Sequence, residues 1–119
     1  MGKFLVQLYE KNNNEVPVKE FIEAQSLDMQ MKILHNMELL ADYGNMLPMP
    51  YSKPLKDGIF ELRTKALNGI TRILYFFYVD RKIVLTNGFV KKTQKTPPSE
   101  IEKAKKYKKD FIQRQNIGK

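Results

Sequence analysis

Ile59-Phe60-Glu61-Leu62-Arg63-Thr64-Lys65, then Asn68-Gly69, the run Ile70 to Val79, the turn Asp80-Arg81-Lys82 and the run Ile83 to Val90 form the stretch that decides the fold. From Ile59 to Lys65 the period is two. Phe60, Leu62 and Thr64 fall on one face and Glu61, Arg63 and Lys65 on the other, as in a strand with one covered and one charged side. Asn68-Gly69 supplies a turn, and Ile70 to Val79 is dense in β-branched and aromatic residues. After the second turn a third such run follows, so 59–90 reads as an antiparallel three-stranded meander.

Upstream, Phe4-Leu5-Val6-Gln7-Leu8-Tyr9 is apolar and β-prone and is followed by the turn signal Asn12-Asn13-Asn14, which predicts a strand at about 3–9. Pro17 suits the first turn of a helix whose buried side is Phe21 and Ile22. Ser26 can cap a longer helix in which Leu27, Met31, Leu34, Met37 and Leu40 or Ala41 recur at spacings of three and four, and Gly44 ends it. His35 lies beside that stripe with no partner at metal-ligand spacing and reads as a structural or surface histidine. Gly44 to Pro54, with Pro48, Pro50 and Pro54, reads as an ordered loop. Downstream, Pro97 and Pro98 open a last helix with Ile101, Ala104, Lys105, Lys108, Phe111 and Ile112 on its packing side.

The predicted architecture is α+β: a two-layer fold of order β-α-α-β-β-β-α, one domain over 1–119, with a mostly antiparallel sheet and two helices packed on one face. Those helices should cover the face bearing Phe60 and Leu62. The opposite face, carrying Arg63, is expected to stay open to a partner.

Composition narrows the chemistry. The 119 residues hold 21 Lys and Arg, 13 Asp and Glu, one His and no Cys, for a formal charge of +8. A disulfide framework, a thiolate zinc site and a Cys nucleophile are excluded, and a multi-His metal centre cannot be built. No run of about 18 apolar residues and no signal-peptide core are present, so a cytoplasmic protein with no membrane association is expected. The charge is unevenly placed. Residues 1–50 carry four Lys against seven acids, a net of −3, whereas residues 51–119 carry seventeen Lys and Arg against six acids, a net of +11. A basic surface of this kind fits an anionic partner such as nucleic acid.

No Gly-rich phosphate loop is present, a Ser-His-Asp set would have to use His35, and the carboxylates Asp57, Glu61 and Asp80 are scattered. What remains is a set of cations on adjacent β elements, Arg63, Lys65 and Arg72, with Lys91, Lys92 and Lys95 just beyond the last strand. Such cations fit cleavage of RNA, whose 2′-hydroxyl is its own nucleophile: the protein need only orient it, move protons and stabilise the charge that develops at phosphorus. Charged residues on an exposed strand face are also ordinary solvated residues, and spacing alone does not separate the two readings.

Three blocks carry a resemblance. Lys53-Pro54-Leu55-Lys56-Asp57-Gly58-Ile59-Phe60-Glu61-Leu62-Arg63, Thr71-Arg72-Ile73-Leu74-Tyr75-Phe76-Phe77 and Gly88-Phe89-Val90-Lys91-Lys92-Thr93-Gln94-Lys95-Thr96-Pro97 occur in the order found in the RelE/ParE toxin superfamily. The chain most resembles its HigB-like, phage-derived branch, over about residues 3–113. The resemblance implies a RelE-like fold and the toxin role in a type II toxin-antitoxin pair: a ribosome-dependent mRNA endoribonuclease that needs no metal or other cofactor. It implies as partners the ribosome, mRNA and a helix-turn-helix, HigA-like antitoxin, with operator DNA reached only through that antitoxin. By position, Arg63 matches the arginine of the Glu-Leu-Arg block, Arg72 matches the arginine at the scissile phosphate, and Lys91, Lys92 and Lys95 fall in the basic catalytic segment. Lys53, Lys56, Lys65, Lys105, Lys106 and Lys109 are the expected RNA-binding cations, with Tyr75 as a base-stacking residue beside Arg72. The chain departs from the pattern at Glu61, where some ribonuclease members carry lysine, and in having no His after Phe89, so the general acid and base are unassigned. Two other readings share the scaffold: a ParE-like inhibitor of DNA gyrase, and an inactive phage-derived binding protein.

Overall fold

The computed structural model describes residues 3–117. In chain order the elements are β1 (Leu5–Leu8), α1 (Pro17–Glu23), α2 (Leu27–Tyr43), a 3₁₀ turn (Gly44–Met46), β2 (Ser52–Pro54), β3 (Phe60–Ala66), β4 (Gly69–Tyr78), β5 (Lys82–Val90) and α3 (Pro98–Ile117). They form an α+β fold around one five-stranded sheet of order β1-β5-β4-β3-β2. β1 runs parallel to β5, and every other neighbouring pair is antiparallel. The expected order is found, with one addition. The proline-rich segment is not all loop: Ser52–Pro54 pairs with Phe60–Leu62 as a three-residue edge strand. A strand this short has no periodicity to read, and Pro54 at its end is tolerated because an edge strand has one unpaired side.

The meander forms where the turn residues place it. Ala66 pairs with Gly69 across a two-residue turn, and the β4–β5 turn puts Asp80 and Arg81 at φ 62° and 60°, in the left-handed region that matches the twist of a hairpin. Leu74 pairs with Asn87 but Tyr75 with Leu85, so Thr86 bulges from β5. The bulged hydroxyl is satisfied by donating to the Leu74 carbonyl at 3.1 Å.

α1 and α2 lie on the sheet face expected for them. Val18, Met29, Ile33 and Leu40 pack with Leu62, Ile73, Tyr75, Ile83 and Leu85. Pro17 occupies the first turn of α1, and the Ser26 side chain accepts from the Met29 amide to cap α2. The inward stripe of α2 differs from the expected one. Met29, Ile33, Asn36 and Leu40 are buried, while Leu27, Met31 and Leu34 are 75%, 69% and 53% exposed. The helix holds two overlapping apolar rows at spacings of three and four, and period alone does not choose between them. A polar contact does. The Asn36 amide donates to the Arg63 carbonyl and to Thr64 Oγ1, both at 3.1 Å, on β3.

Two glycines set close approaches. A Cβ on Gly88 of β5 would come within 2.6 Å of the Phe21 ring, and one on Gly44, at φ 52°, within 2.0 Å of Phe4.

The second sheet face is not left open. α3 packs Ala104 and Phe111 on Leu74, Phe76 and Val84. Phe111 meets Phe76 and Tyr78 edge-on at centroid distances of 5.8 and 5.2 Å. At the start of α3, the Glu100 carbonyl and carboxylate accept from the Asn87 amide. The helix therefore covers β4 from about Leu74 to Tyr78 and leaves the Ile70–Arg72 end to the loop that follows β5. Among the described residues no helix is long and apolar enough to cross a membrane.

Candidate nucleic-acid interface

The end of that face beyond α3 begins with a cross-strand pair. β3 and β4 set Arg63 directly opposite Arg72. Two guanidiniums side by side on one face repel unless something neutralises them. Glu61, two residues before Arg63 and so on the same face, does this from a position with 0% exposure. Its Oε2 accepts from Arg63 Nε at 2.7 Å and lies 3.6 Å from Arg72 Nε. Its Oε1 accepts from the Thr96 hydroxyl at 2.6 Å. Thr96 Oγ1 in turn accepts from Arg72 Nη1 at 3.2 Å, and Arg72 Nη2 donates to the Gln94 carbonyl at 3.2 Å. The loop leaving β5 is thereby fastened to the sheet through one guanidinium and one carboxylate.

The two arginines have different positions in this network. Arg72 is 2% exposed, and its Nε, buried, makes no hydrogen bond among the described residues. The Arg63 side chain is 23% exposed and engages Glu61 through Nε. Two guanidiniums against one carboxylate leave an excess positive charge at the end of the sheet. The departure at Glu61 thus has a structural reason: a cation there would put a third positive charge into a buried cluster, whereas the carboxylate lets two arginines sit side by side.

Past the end of β2 the edge of β3 is bare of strand, and a groove of about 430 Å³ wraps around it. Arg63, Lys65, Arg72 and Lys91 form its sheet side, and Lys32, His35 and Tyr51 its rim from α2 and the proline-rich segment. No carboxylate lines it. Arg63, Arg72, Lys91 and Lys65 are therefore brought together as expected. Lys92 lies in the adjoining shallow cleft with Lys91 and Gln94, and Lys95 is exposed on the same loop.

The remaining expected RNA contacts are dispersed. Lys53 is half-buried on β2 and Lys56 is exposed in the following loop. Lys105 pairs with Asp57 at 3.0 Å and Glu102 at 3.5 Å, which ties that loop to α3. Lys109 sits beside Lys105 and Lys108, whereas Lys106 belongs to a different cleft with Tyr9, Tyr107 and Asp110. Tyr75 is a correction. It has 0% exposure and points to the opposite face from Arg72, stacked on Phe60 at 5.6 Å with its hydroxyl 2.6 Å from Ser52 Oγ. Burial raises its phenol above the ordinary value, and no ring face is left for a base. Residues one apart in number parity on a strand face opposite ways, which separates Tyr75 from Arg72.

Sequence reasoning missed His35 and Tyr51 as groove residues. The signal available was Asn36: a polar residue on the inward row of an amphipathic helix needs a partner, and its neighbour His35 is carried to the rim beside that partner.

A second polar cluster sits under α3. Tyr9 donates to Asp110 at 2.6 Å and stacks on Tyr107 at 4.6 Å, with Arg114 over its ring at 5.4 Å. Burial, then the Asp110 hydrogen bond, pushes the Tyr9 phenol up to about 12. The same hydrogen bond holds Asp110 below the ordinary carboxylate value.

The family model of phage-derived Gp49-like proteins matches residues 5–109. The chain belongs to the phage-derived Gp49-like family. The match runs from β1 into α3 and takes in every residue of the Gp49-like groove, from Lys32 to Lys91. No curated protein matches the chain significantly.

Proposed function

We propose that this Gp49-like chain is the toxin of a type II toxin-antitoxin pair, a HigB-like, RelE-type endoribonuclease that works in the cytoplasm. It cleaves mRNA on the ribosome through the RNA's own 2′-hydroxyl, without a metal, and so stops translation. A helix-turn-helix, HigA-like antitoxin neutralises it and carries the pair to operator DNA. The observation that carries this reading is the groove at the edge of β3, lined by five cations and no carboxylate. Membership of the phage-derived family supports the toxin-like part of it.

The cations of the groove support that chemistry. A phosphodiester seated in the groove meets Arg63, whose planar fork suits two phosphate oxygens, and the ammonium groups of Lys65 and Lys91. These charges lie where negative charge grows on phosphorus during in-line attack, and each well-placed donor is worth about 3 kcal/mol, or two orders of magnitude in rate. Arg72 contributes from behind: it adds positive charge and holds the Lys91–Thr96 loop in place.

The test is growth arrest on induced expression, read together with cleavage sites on translated mRNA. Arg63→Ala should restore growth and lower cleavage by about 10²–10³-fold while the purified variant keeps its fold. Arg72→Ala is the weaker probe because it also releases the Thr96 loop. Full arrest by an Arg63→Ala, Lys91→Ala double variant without mRNA cleavage overturns the reading. Arrest of that kind accompanied by DNA-damage signalling identifies a gyrase inhibitor instead.

A further inference from the structure

We propose that His35 is the general base of the groove, taking the proton from the attacking 2′-hydroxyl, with the Lys91 ammonium as proton donor to the leaving oxygen; this deepens the endoribonuclease reading and rests on it. Transesterification of RNA needs proton transfer as well as charge stabilisation. The guanidiniums of Arg63 and Arg72 do not release protons in water, and Asn36 and Thr64 do not titrate. The ionisable side chains left in the lining are His35, Tyr51 and the lysines. Of these chemical types, imidazole alone exchanges a proton readily near neutral pH.

Position supports the role. The inward neighbour Asn36 bonds both the Arg63 carbonyl and Thr64 Oγ1 at 3.1 Å, which rivets this turn of α2 to the strand that presents Arg63. His35 is thus carried on a fixed backbone at the rim while its ring is exposed, with no hydrogen bond or ion pair to any described residue. The charged groups facing the groove are Lys32 from its own helix, Arg63 and Lys65 from β3, Arg72 from β4 and Lys91 beyond β5, with the Tyr51 phenol beside them. On α2 the carboxylates flanking His35 are Glu38, one turn after it, and Asp28, two turns before it and paired with Lys32 at 3.6 Å; neither lines the groove.

The step balances as follows. The 2′-O–H bond breaks, its proton passes to a neutral His35 ring nitrogen, and the 2′-oxygen forms a bond to phosphorus. The bond from phosphorus to the 5′-oxygen breaks, and that oxygen receives a proton from the Lys91 ammonium. The products are a 2′,3′-cyclic phosphate and a 5′-hydroxyl; solvent then takes the imidazolium proton and returns one to Lys91. The phosphate's negative charge favours the imidazolium as it forms.

The experiment compares wild type, His35→Gln and His35→Ala in single-turnover cleavage of mRNA on purified ribosomes, with ribosome binding measured separately. Loss of about 10²-fold or more in rate at unchanged binding is expected, together with loss of one limb of the pH–rate profile and partial recovery of His35→Ala by added imidazole. His35 is the chain's only histidine, so its ring gives one set of NMR signals in the untagged protein. Those signals should shift when a non-cleavable 2′-deoxy-substituted RNA trinucleotide fills the groove. If wild type cleaves and both variants stay within about threefold of it with the pH profile intact, the assignment to His35 is overturned and the endoribonuclease reading stands. If the trinucleotide shifts Arg63 and Lys91 but not the imidazole, His35 is likewise overturned. If wild type yields no cleavage at all, the endoribonuclease reading falls and the proton-transfer role with it.

Discussion

The two ends of β4 on the α3 side of the sheet are built on opposite principles. From Leu74 to Tyr78 the strand is closed by Ala104 and Phe111 and held by apolar and aromatic contact. At Arg72, a few ångströms along the same strand, packing gives way to two guanidiniums, one buried carboxylate and a threonine. Apolar burial stabilises without regard to direction, whereas the polar end fixes particular atoms in particular places and leaves positive charge over. One sheet face can therefore be anchored by packing at one end and carry excess charge at the other.

Breaking the closed end should have the largest effect. Phe76→Ala removes a fully buried ring between the sheet and α3, and denaturant unfolding should show a loss of about 4 kcal/mol. If Phe76→Ala costs under about 1 kcal/mol, α3 is not the anchor described. Next comes the open end. Glu61→Gln leaves Arg63 and Arg72 facing each other without a counter-charge, at a cost of about 3 kcal/mol. Added sulfate should restore part of that stability, and more of it than sulfate adds to wild type, because an anion can replace the carboxylate's charge. Thr96→Val removes two hydrogen bonds of the network, with an expected loss of about 1–2 kcal/mol. Hydrogen exchange should then rise along 91–97 before it rises in β4.

The closed end also has a pH dependence. The Tyr9 phenol is raised from 10.0 to about 12 in the folded chain. A raised folded value means a contribution fully present below 10.0 that is lost as pH climbs through about 12. The melting temperature of wild type should therefore fall over that interval relative to Tyr9→Phe. Asp110 has the reverse sign: its folded value is lowered by Tyr9, so its contribution is present above the ordinary carboxylate value and disappears as acid takes the pH below it. The smallest effect is expected at the exposed Lys19–Glu23 pair, where Lys19→Ala should cost no more than about 0.5 kcal/mol and vanish in high salt.

What could be read from the sequence followed the range of the forces involved. The meander, the Pro17 start and the Ser26 cap are local, so turn residues and periods of two and three to four reveal them. The face of α2 was misplaced because Asn36, which orients the helix, bonds residues 27 and 28 positions away. Tyr75 reads as a base-stacking residue beside Arg72 because their nearness in sequence hides that they face opposite sides of the sheet. At the candidate site, Arg63, Lys65 and Arg72 are legible as cations on neighbouring strands and Lys91 as one just beyond the last. Their arrangement was not: the Glu61–Thr96 contact joins positions 35 apart, and nothing in the run around Thr96 signals a carboxylate partner. The place of His35 at the groove rim is hidden for the same reason, since it depends on where Asn36 is bound.

The sheet order β1-β5-β4-β3-β2 also sets an order of assembly. β3, β4 and β5 join through short turns and can zip as neighbours, but β1 pairs in parallel with β5, Leu5 opposite Lys82. Closing that distance is entropically slow compared with forming hairpins. During synthesis β1 must wait for β5, the last strand of the sheet, to be made. A nascent chain interrupted before Lys82 would thus hold the β3–β4 hairpin and an apolar strand β1 with nowhere to dock, a segment exposed to proteases and chaperones.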